Sequence, residues 1–148
     1  MRFTDDQVRL LTGYGSGKAA ALLSEEERKR CLVISDVSRE DMPIIYMSYQ
    51  FEEQTGYEES EVLERNCRFL QGSGTNPASV AAIRSAIGKG SALTVDILNY
   101  RKDGSEFWNR LRLRPLKNTA GDVVYYVGFQ NPIPADEVRA EPIFDFVD

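Results

Sequence analysis

Histidine is absent from this sequence of 148 residues. Its absence excludes a Ser-His-Asp triad, a Cys-His nucleophile pair, a histidine-ligated haem and the common zinc sites. We therefore expect no metal centre. Glutamate, aspartate and lysine remain as possible acids and bases, but much of ordinary enzyme chemistry is excluded.

Long apolar runs, an excess of basic residues and a cysteine framework are missing as well. No run reaches the roughly 18 to 20 apolar residues of a membrane span, and the N-terminus, MRFTDD, lacks an apolar signal segment. The net charge of −5 argues against a nucleic-acid surface. We expect a cytoplasmic protein, in which a reducing environment favours free thiols at Cys31 and Cys67 over a disulfide.

The pattern of predicted elements is typical of one α+β domain. Residues 4–30 predict a helical cap that glycines interrupt, with capping boxes at Thr4/Gln7 and Ser24/Glu27. Short helical pieces follow over 49–71, and Asn76-Pro77 begins a helix that ends at Gly88 and Gly90. Apolar runs and alternation predict five strands, at 31–35, 43–47, 93–101, 107–116 and 123–131. The last three are joined by short turns and should form an antiparallel meander.

Each strand of this meander carries one amide side chain on an otherwise apolar face: Asn99, Asn109 and Gln130. A buried amide without a partner costs about 1–3 kcal/mol, so these side chains need hydrogen bonds. The partners are either neighbouring backbone groups or a polar ligand edge. For the three together we favour a ligand with alternating C=O and N–H groups, such as the pyrimidine side of an isoalloxazine ring. Gly128 would let a flat ligand approach the backbone.

Two arginines flank this region and predict a phosphate site. Arg68 directly follows Cys67, and Arg84 lies on the helix that begins at Asn76. The planar guanidinium binds phosphate through two parallel hydrogen bonds. Either arginine alone is most often a solvated surface residue, so the prediction depends on the pair.

The stretch from Asn66 to Gly72, NCRFLQG, resembles the signature of the light-oxygen-voltage (LOV) family of flavin photoreceptors, within the PAS superfamily. The segments 99–100, 107–109 and 128–130 also match flavin contacts of that family, and the resemblance covers about residues 31–131. It implies a PAS fold, with a five-stranded antiparallel sheet, short helices on one face and a helical N-terminal cap. Residues 1–30 would form the cap and 132–148 a short C-terminal extension.

The resemblance implies a blue-light photoreceptor and not an enzyme. Cys67 would bond reversibly to flavin C4a on illumination, and the Gln130 amide, near flavin N5 and O4, would reorient as N5 gains a proton. Arg68 and Arg84 would hold the phosphate, and Gln71 the ribityl chain. The other residues assigned to the site are Val33, Ser35, Ile44, Phe51, Asn66, Leu70, Asn99, Asn109, Leu111, Leu113, Tyr126 and Gly128.

FMN is the flavin that the resemblance favours, since there is no insertion between Cys67 and Arg84 to accommodate an adenine. Riboflavin and FAD are the alternatives. The sequence departs from the family pattern at Glu64, where glycine is usual, at Cys31, where asparagine is common, and at Ser35, where threonine is usual. These departures bear on the lifetime of the photoproduct.

The expected output is a change in flanking segments or at a dimer interface, sensed by an unknown downstream protein. The resemblance implies a short LOV protein without an effector domain. The outward sheet face is apolar at Leu98, Tyr100, Trp108, Val123, Tyr125, Val127 and Phe129. Apolar residues of the cap, at Val8, Leu10, Leu11, Leu22 and Leu23, would cover it within one chain or across a homodimer. Prolines at 132, 134 and 142 argue against a long C-terminal helix.

Two other functions stay open at this point. A flavin-binding redox protein would need an open substrate face and an acid or base beside the ring. A PAS interaction module without a photocycle would need the fold but not the three amides and two arginines. Light-induced bleaching would exclude the first of these, and a bound flavin the second.

Overall fold

An antiparallel sheet is the framework of the fold in a computed structural model that describes residues 13–145. Its strands are β1 (Gly13–Gly15), β2 (Leu32–Asp36), β3 (Ile44–Ser48), β4 (Ala92–Tyr100), β5 (Glu106–Lys117), β6 (Val123–Phe129), β7 (Pro132–Ile133) and β8 (Ile143–Asp145). The spatial order is β1-β3-β2-β6-β5-β4-β8, and β7 pairs with β5 beside β6.

Short helices fill the connections. They are α1 (Gly17–Ala20), α2 (Glu25–Arg28), α3 (Tyr49–Thr55), α4 (Glu59–Val62) and α5 (Pro77–Lys89), with 3₁₀ turns at Cys67–Leu70 and Ala135–Glu137. The Asn76 side chain caps α5 by accepting from the Ala78 N–H, and Pro77 is its first residue. The helix ends at Gly90, whose φ of 66° is left-handed. Among residues 13–145, no helix has the length and apolar character needed to cross a membrane.

The α+β class predicted from the sequence is confirmed, and the antiparallel sheet and short helices that the resemblance implies are present. The five predicted strands correspond to β2 to β6, and the helix predicted from Asn76 is α5. Strands β1, β7 and β8 are additions that the sequence did not predict, because two- and three-residue strands form by pairing with an existing edge. The Ser24/Glu27 capping box is present, whereas the one at Thr4/Gln7 lies outside the described residues.

Glycines allow the cap to join the sheet. A Cβ atom at Gly13 would lie 2.1 Å from the Met47 carbonyl oxygen on β3, so only glycine fits there. Gly15 has a φ of 109°, which side chains rarely adopt. The sequence pattern was interpreted as a break in a helical cap, and the structure places a strand at this break.

The outer face of the sheet is covered from both ends of the chain. Ala19, Ala20 and Leu23 of the cap pack on a buried cluster that includes Ile34 and Val127. The described cap residues thus cover the part of the outer face around β2 and β6 within one chain, while Val8, Leu10 and Leu11 lie outside the described residues. Leu22, expected to contribute, is 49% exposed.

The C-terminal segment covers the β4–β5 side. It contains no α-helix between residues 132 and 145, in line with the prolines, and a 3₁₀ turn follows Pro134. Asp96, whose side chain is 1% exposed, accepts two hydrogen bonds from Arg110 and one from the Arg139 N–H, and so ties this segment to the sheet.

One outward assignment was wrong. Val123 packs with the cluster beneath α5 on the helical side, near Gly90, instead of on the outer face. The register of β5 and β6 shifts between Leu116 and Lys117, opposite Val123, and this irregularity interrupts the alternation at the start of β6.

We expect Glu27→Gln to destabilise the cap through loss of charge. The hydrogen bond from Arg114 is the main cause that lowers the pKa of Glu27 from 4.5 to about 2. The ion pair therefore contributes fully above the unfolded pKa and is lost as pH falls through the folded one. Glutamine keeps the capping bond to Ser24. The free energy of unfolding at pH 7 should drop by about 1–2 kcal/mol, and the difference should shrink by roughly half or more at pH 3.

Chemical denaturation of the wild type and the variant at pH 7 and pH 3 measures these differences in the free energy of unfolding. Glu26→Gln is the matched control, since Glu26 is 89% exposed in its side chain, and it should change stability by less than about 0.5 kcal/mol. An equal loss for Glu27→Gln at pH 3 and pH 7 would contradict the charge explanation.

Candidate functional site

A cavity lies between the sheet and the segments that carry Cys67 and α5. Its walls combine apolar side chains with a few polar ones, the composition usual for small-molecule sites. The lining residues are Val33, Ser35, Met42, Asn66, Cys67, Arg68, Leu70, Gln71, Ile83, Ile87, Ile97, Asn99, Leu111, Leu113, Tyr126, Gly128 and Gln130.

The three predicted amides meet at one wall of this cavity. Asn109 donates to the Asn99 side-chain oxygen at 3.0 Å and to the Gln130 side-chain oxygen at 2.5 Å. The Gln130 amide donates to the Gly128 carbonyl, and the Asn99 amide to the Leu98 carbonyl. Both sequence-level interpretations therefore hold in part, since the amides satisfy one another and the backbone, yet Asn99 and Gln130 line the cavity.

Donor capacity remains on this wall. An amide NH₂ group has two hydrogens, and the bonds described use one on Asn99 and one on Gln130. Both hydrogens of Asn109 are engaged by its two neighbours. Asn109, which is fully buried and does not line the cavity, thus orients the other two amides. This wall suits a planar ligand whose edge presents acceptors.

The Cys67 thiol is set by a short turn that Asn66 holds. The Asn66 side-chain oxygen accepts from the Arg68 N–H at 2.9 Å, and its NH₂ group donates to the Asp41 carbonyl at 2.8 Å. Backbone bonds between Ile44 and residues 64 and 65 fix the preceding loop to β3. These contacts of Asn66 and of residues 64 and 65 fix the position at which Cys67 begins the 3₁₀ turn.

Both cysteines are free thiols in the part of the chain that the structure describes. Burial raises the pKa of Cys67 to about 12. Burial also raises the pKa of Cys31 to about 12, with smaller contributions from Cys67 and Glu53. With this pKa, Cys67 is protonated at neutral pH. Because the thiolate is the reactive form, the thiol does not react unless the molecule that it attacks is first activated.

The two predicted phosphate ligands have different surroundings. Arg68 lines the cavity and forms a two-bond ion pair with Asp41, with Nη1 to Oδ1 at 2.7 Å. Arg84 lies instead in an adjoining surface hollow that shares Gln71 with the cavity and includes Thr75 and Val80. Gln71 stands between the two arginines at the cavity rim.

Three further assigned residues lie outside the lining. Ile44 and Phe51 are fully buried in the apolar cluster that packs against Cys67, so they support the thiol from behind. Asn109 lies behind Asn99 and Gln130. The remaining assigned residues line the cavity, and their roles stay predictions.

Four lining residues were not assigned from the sequence. Ile83 and Ile87 face the cavity from α5, where their helical spacing indicates a buried face but not a ligand site. Ile97 shares a strand face with Asn99, so alternation was sufficient to find it. Met42 lies in the loop between β2 and β3, where no periodic pattern exists to point to it.

Comparisons with known proteins agree with this geometry. The PAS domain family matches residues 30–133. A blue-light-activated histidine kinase from Rhizobium johnstonii is 44% identical over 113 residues, which cover 76% of this chain and 33% of the kinase. Phototropin-2 from Oryza sativa subsp. japonica is 47% identical over 102 residues, covering 69% of this chain and 11% of the phototropin. This chain therefore spans a third or less of the length of these relatives.

A solved structure is similar over most of its length. The light-state structure of the blue-light photoreceptor Aureochrome1 LOV superposes with a TM-score of 0.71 at 46% identity, covering 72% of this chain and 84% of that one. The fold, the family match and this similarity lead to one conclusion: the chain belongs to the PAS domain family and, within it, is a light-oxygen-voltage domain.

Proposed function

We propose that this chain is a blue-light receptor that binds a flavin, FMN in preference to riboflavin or FAD, and bonds to it reversibly through Cys67. The observation that carries the proposal is the wall of cooperating amides facing the same cavity as the thiol. The blue-light photoreceptors among the similar proteins support it. A bound flavin would supply the absorption of blue light and an electrophilic ring carbon.

The state of the thiol supports a light-gated reaction. A Cys67 thiol with a pKa of about 12 is not a nucleophile in the dark at neutral pH. In the proposed reaction the Cys67 sulfur would bond to flavin C4a and its thiol hydrogen would move to N5, so no other reactant would be consumed. Reversal would break the carbon–sulfur bond and return the hydrogen to Cys67. Cys31, protonated as well, does not line the cavity.

The amide wall supplies both recognition and a switch in this proposal. The unused hydrogens of Asn99 and Gln130 would bond to ring acceptors. When N5 changes from acceptor to donor, the Gln130 side chain must present its oxygen and rotate. Its present bonds, to Asn109 and to the Gly128 carbonyl, would then rearrange.

A route from this switch to the C-terminal segment is available. The side-chain oxygen of Asn109 accepts from the Asn131 N–H at 2.9 Å, and Asn131 precedes β7. The Arg110 N–H donates to the Asn131 carbonyl at 2.8 Å. A change at Gln130 would therefore reach the residue at which the sheet core, 31–131, meets the extension, 132–148. The cap, residues 1–30, is the other proposed output segment.

The output is conformational and not catalytic in this proposal. Some relatives are histidine kinases, and the activity of any longer protein or downstream partner is left to experiment. The cap and outer sheet face would form the contact of a homodimer. A change in the molar mass of the protein on illumination, measured by light scattering, would indicate that light acts on this dimer contact.

Cys67→Ala should abolish bleaching without loss of the flavin. Illumination of the wild-type protein with blue light should reversibly bleach the flavin absorption, whereas the variant lacks the sulfur that bonds to the ring. Absorption spectra before and after illumination measure this. Cys31→Ala is the matched control and should still bleach.

The same spectra separate the competing functions. A bound flavin that does not respond to light in the wild type would indicate a redox flavoprotein. Purified protein that takes up no flavin at all would indicate a PAS interaction module, and the proposed function would then be wrong.

Hydrogen exchange should report the proposed route. We expect the backbone amides of Asn131 and Ile133 to exchange about twofold faster or more under blue light, because rearrangement at Gln130 weakens the Asn109–Asn131 bond. Gln130→Leu should retain bleaching and lose this difference. Unchanged exchange at Asn131 and Ile133 in illuminated, bleached wild-type protein would contradict the route, and turn residues 118–121 serve as an internal reference.

A further inference from the structure

The loop between β2 and β3 closes against the rim of the cavity. Asp41 bonds to both terminal amino groups of Arg68 and accepts from the Asn66 side chain through its backbone carbonyl. The next residue, Met42, lines the cavity. A carboxylate is thus held at the rim by contacts to its side chain and to its main chain.

The backbone here keeps that carboxylate in place. Asp41 has a φ of 62° and Met42 a φ of 48°, both in the left-handed region. Aspartate and asparagine visit this region more readily than other side chains, and a bulky residue such as methionine seldom does. Contacts from the surroundings must hold such a conformation, and those to Asn66 and Arg68 do so.

The charge at the rim is therefore lower than the two arginines imply. Arg68 and Arg84 provide two positive charges, and Asp41 removes one of them. Hydrogen bonding to Arg68 lowers the pKa of Asp41, so this carboxylate is ionised at neutral pH. A phosphate that approached Arg68 would either displace Asp41 or share the guanidinium with it, and would meet like-charge repulsion in both cases.

We propose that Asp41 is a selectivity-determining residue of the flavin site: its ion pair with Arg68 weakens the preference for phosphorylated flavin over riboflavin. The inference rests on the proposed function, because it concerns the same site. The ring would be held by the amide wall and the apolar lining whether or not a phosphate is present. Asp41 would therefore weaken the binding of FMN and leave the affinity for riboflavin unchanged.

Asp41→Asn is the informative variant. Asparagine tolerates a positive φ, keeps the backbone carbonyl that Asn66 uses, and removes the charge together with one of the two oxygens that accept from Arg68. Flavin-free protein is titrated with riboflavin and with FMN, and quenching of flavin fluorescence gives both dissociation constants. We expect the ratio of the riboflavin constant to the FMN constant to rise about fivefold or more, through tighter FMN binding, from removal of one like charge.

Glu64→Gln is the matched control. Glu64 forms the neighbouring ion pair with Arg39, joins the same two loops and is comparably exposed, yet does not line the cavity. Its ratio should equal that of the wild type. An unchanged riboflavin constant in Asp41→Asn reports an intact pocket, and adding Arg68→Gln to that variant should remove the gain.

The outcomes separate the two proposals. Binding of both flavins with an unchanged ratio in Asp41→Asn overturns this inference alone. A fall in the ratio also overturns it, and would make Asp41 a residue that positions Arg68 for phosphate. If neither flavin binds the wild-type protein, the proposed function fails as well.

Discussion

The antiparallel register of β4, β5 and β6 is the constraint on which the site depends. Pairing of Ile97 with Asn109 and of Leu113 with Gly128 brings the inward faces of the three strands to one wall. Because side chains alternate with a period of two, a slip of one residue would turn that face to the outside. Burial of Leu93, Val95 and Ile97 beneath α5 makes such a slip expensive. The same apolar contacts that stabilise the sheet therefore determine the position of the amides.

The rim of the site is built differently. It consists of loops whose conformation is held by ion pairs, with left-handed backbone at Asp41 and Met42. Glu64 stands where the family usually has glycine, and its φ of 71° shows the conformational reason for that preference. Glu64 itself does not line the cavity. In the proposed flavin site, the sheet wall would recognise the ring and the charged loop rim would recognise the phosphate.

The sheet carries the cavity on its inner face and contacts both flanking segments on its outer face. Cap residues pack over β2 and β6, and the C-terminal segment is tied to β4 and β5 by the buried Asp96 and its partner Arg110. The segment is anchored by two hydrogen bonds to this pair, since the Arg139 N–H donates to Asp96 and the Glu137 carbonyl accepts from Arg110. Asn109 contacts the site on one side and Asn131 on the other. One amide side chain consequently joins the cavity to the beginning of the extension.

The sequence by itself determined the elements whose patterns are local. Asn76-Pro77 and Gly90 delimit α5, alternation places β4 to β6 within two residues, and one heptapeptide indicates the family. Only the tertiary structure decided which distant segments meet. The pairing of Arg68 with Asp41 joins residues 27 apart, Met42 enters the cavity from an aperiodic loop, and Arg84 faces a separate hollow. The reason is that hydrophobic periodicity encodes which side of an element is buried, whereas the path of a loop and the partner of a charge depend on contacts that no local pattern records.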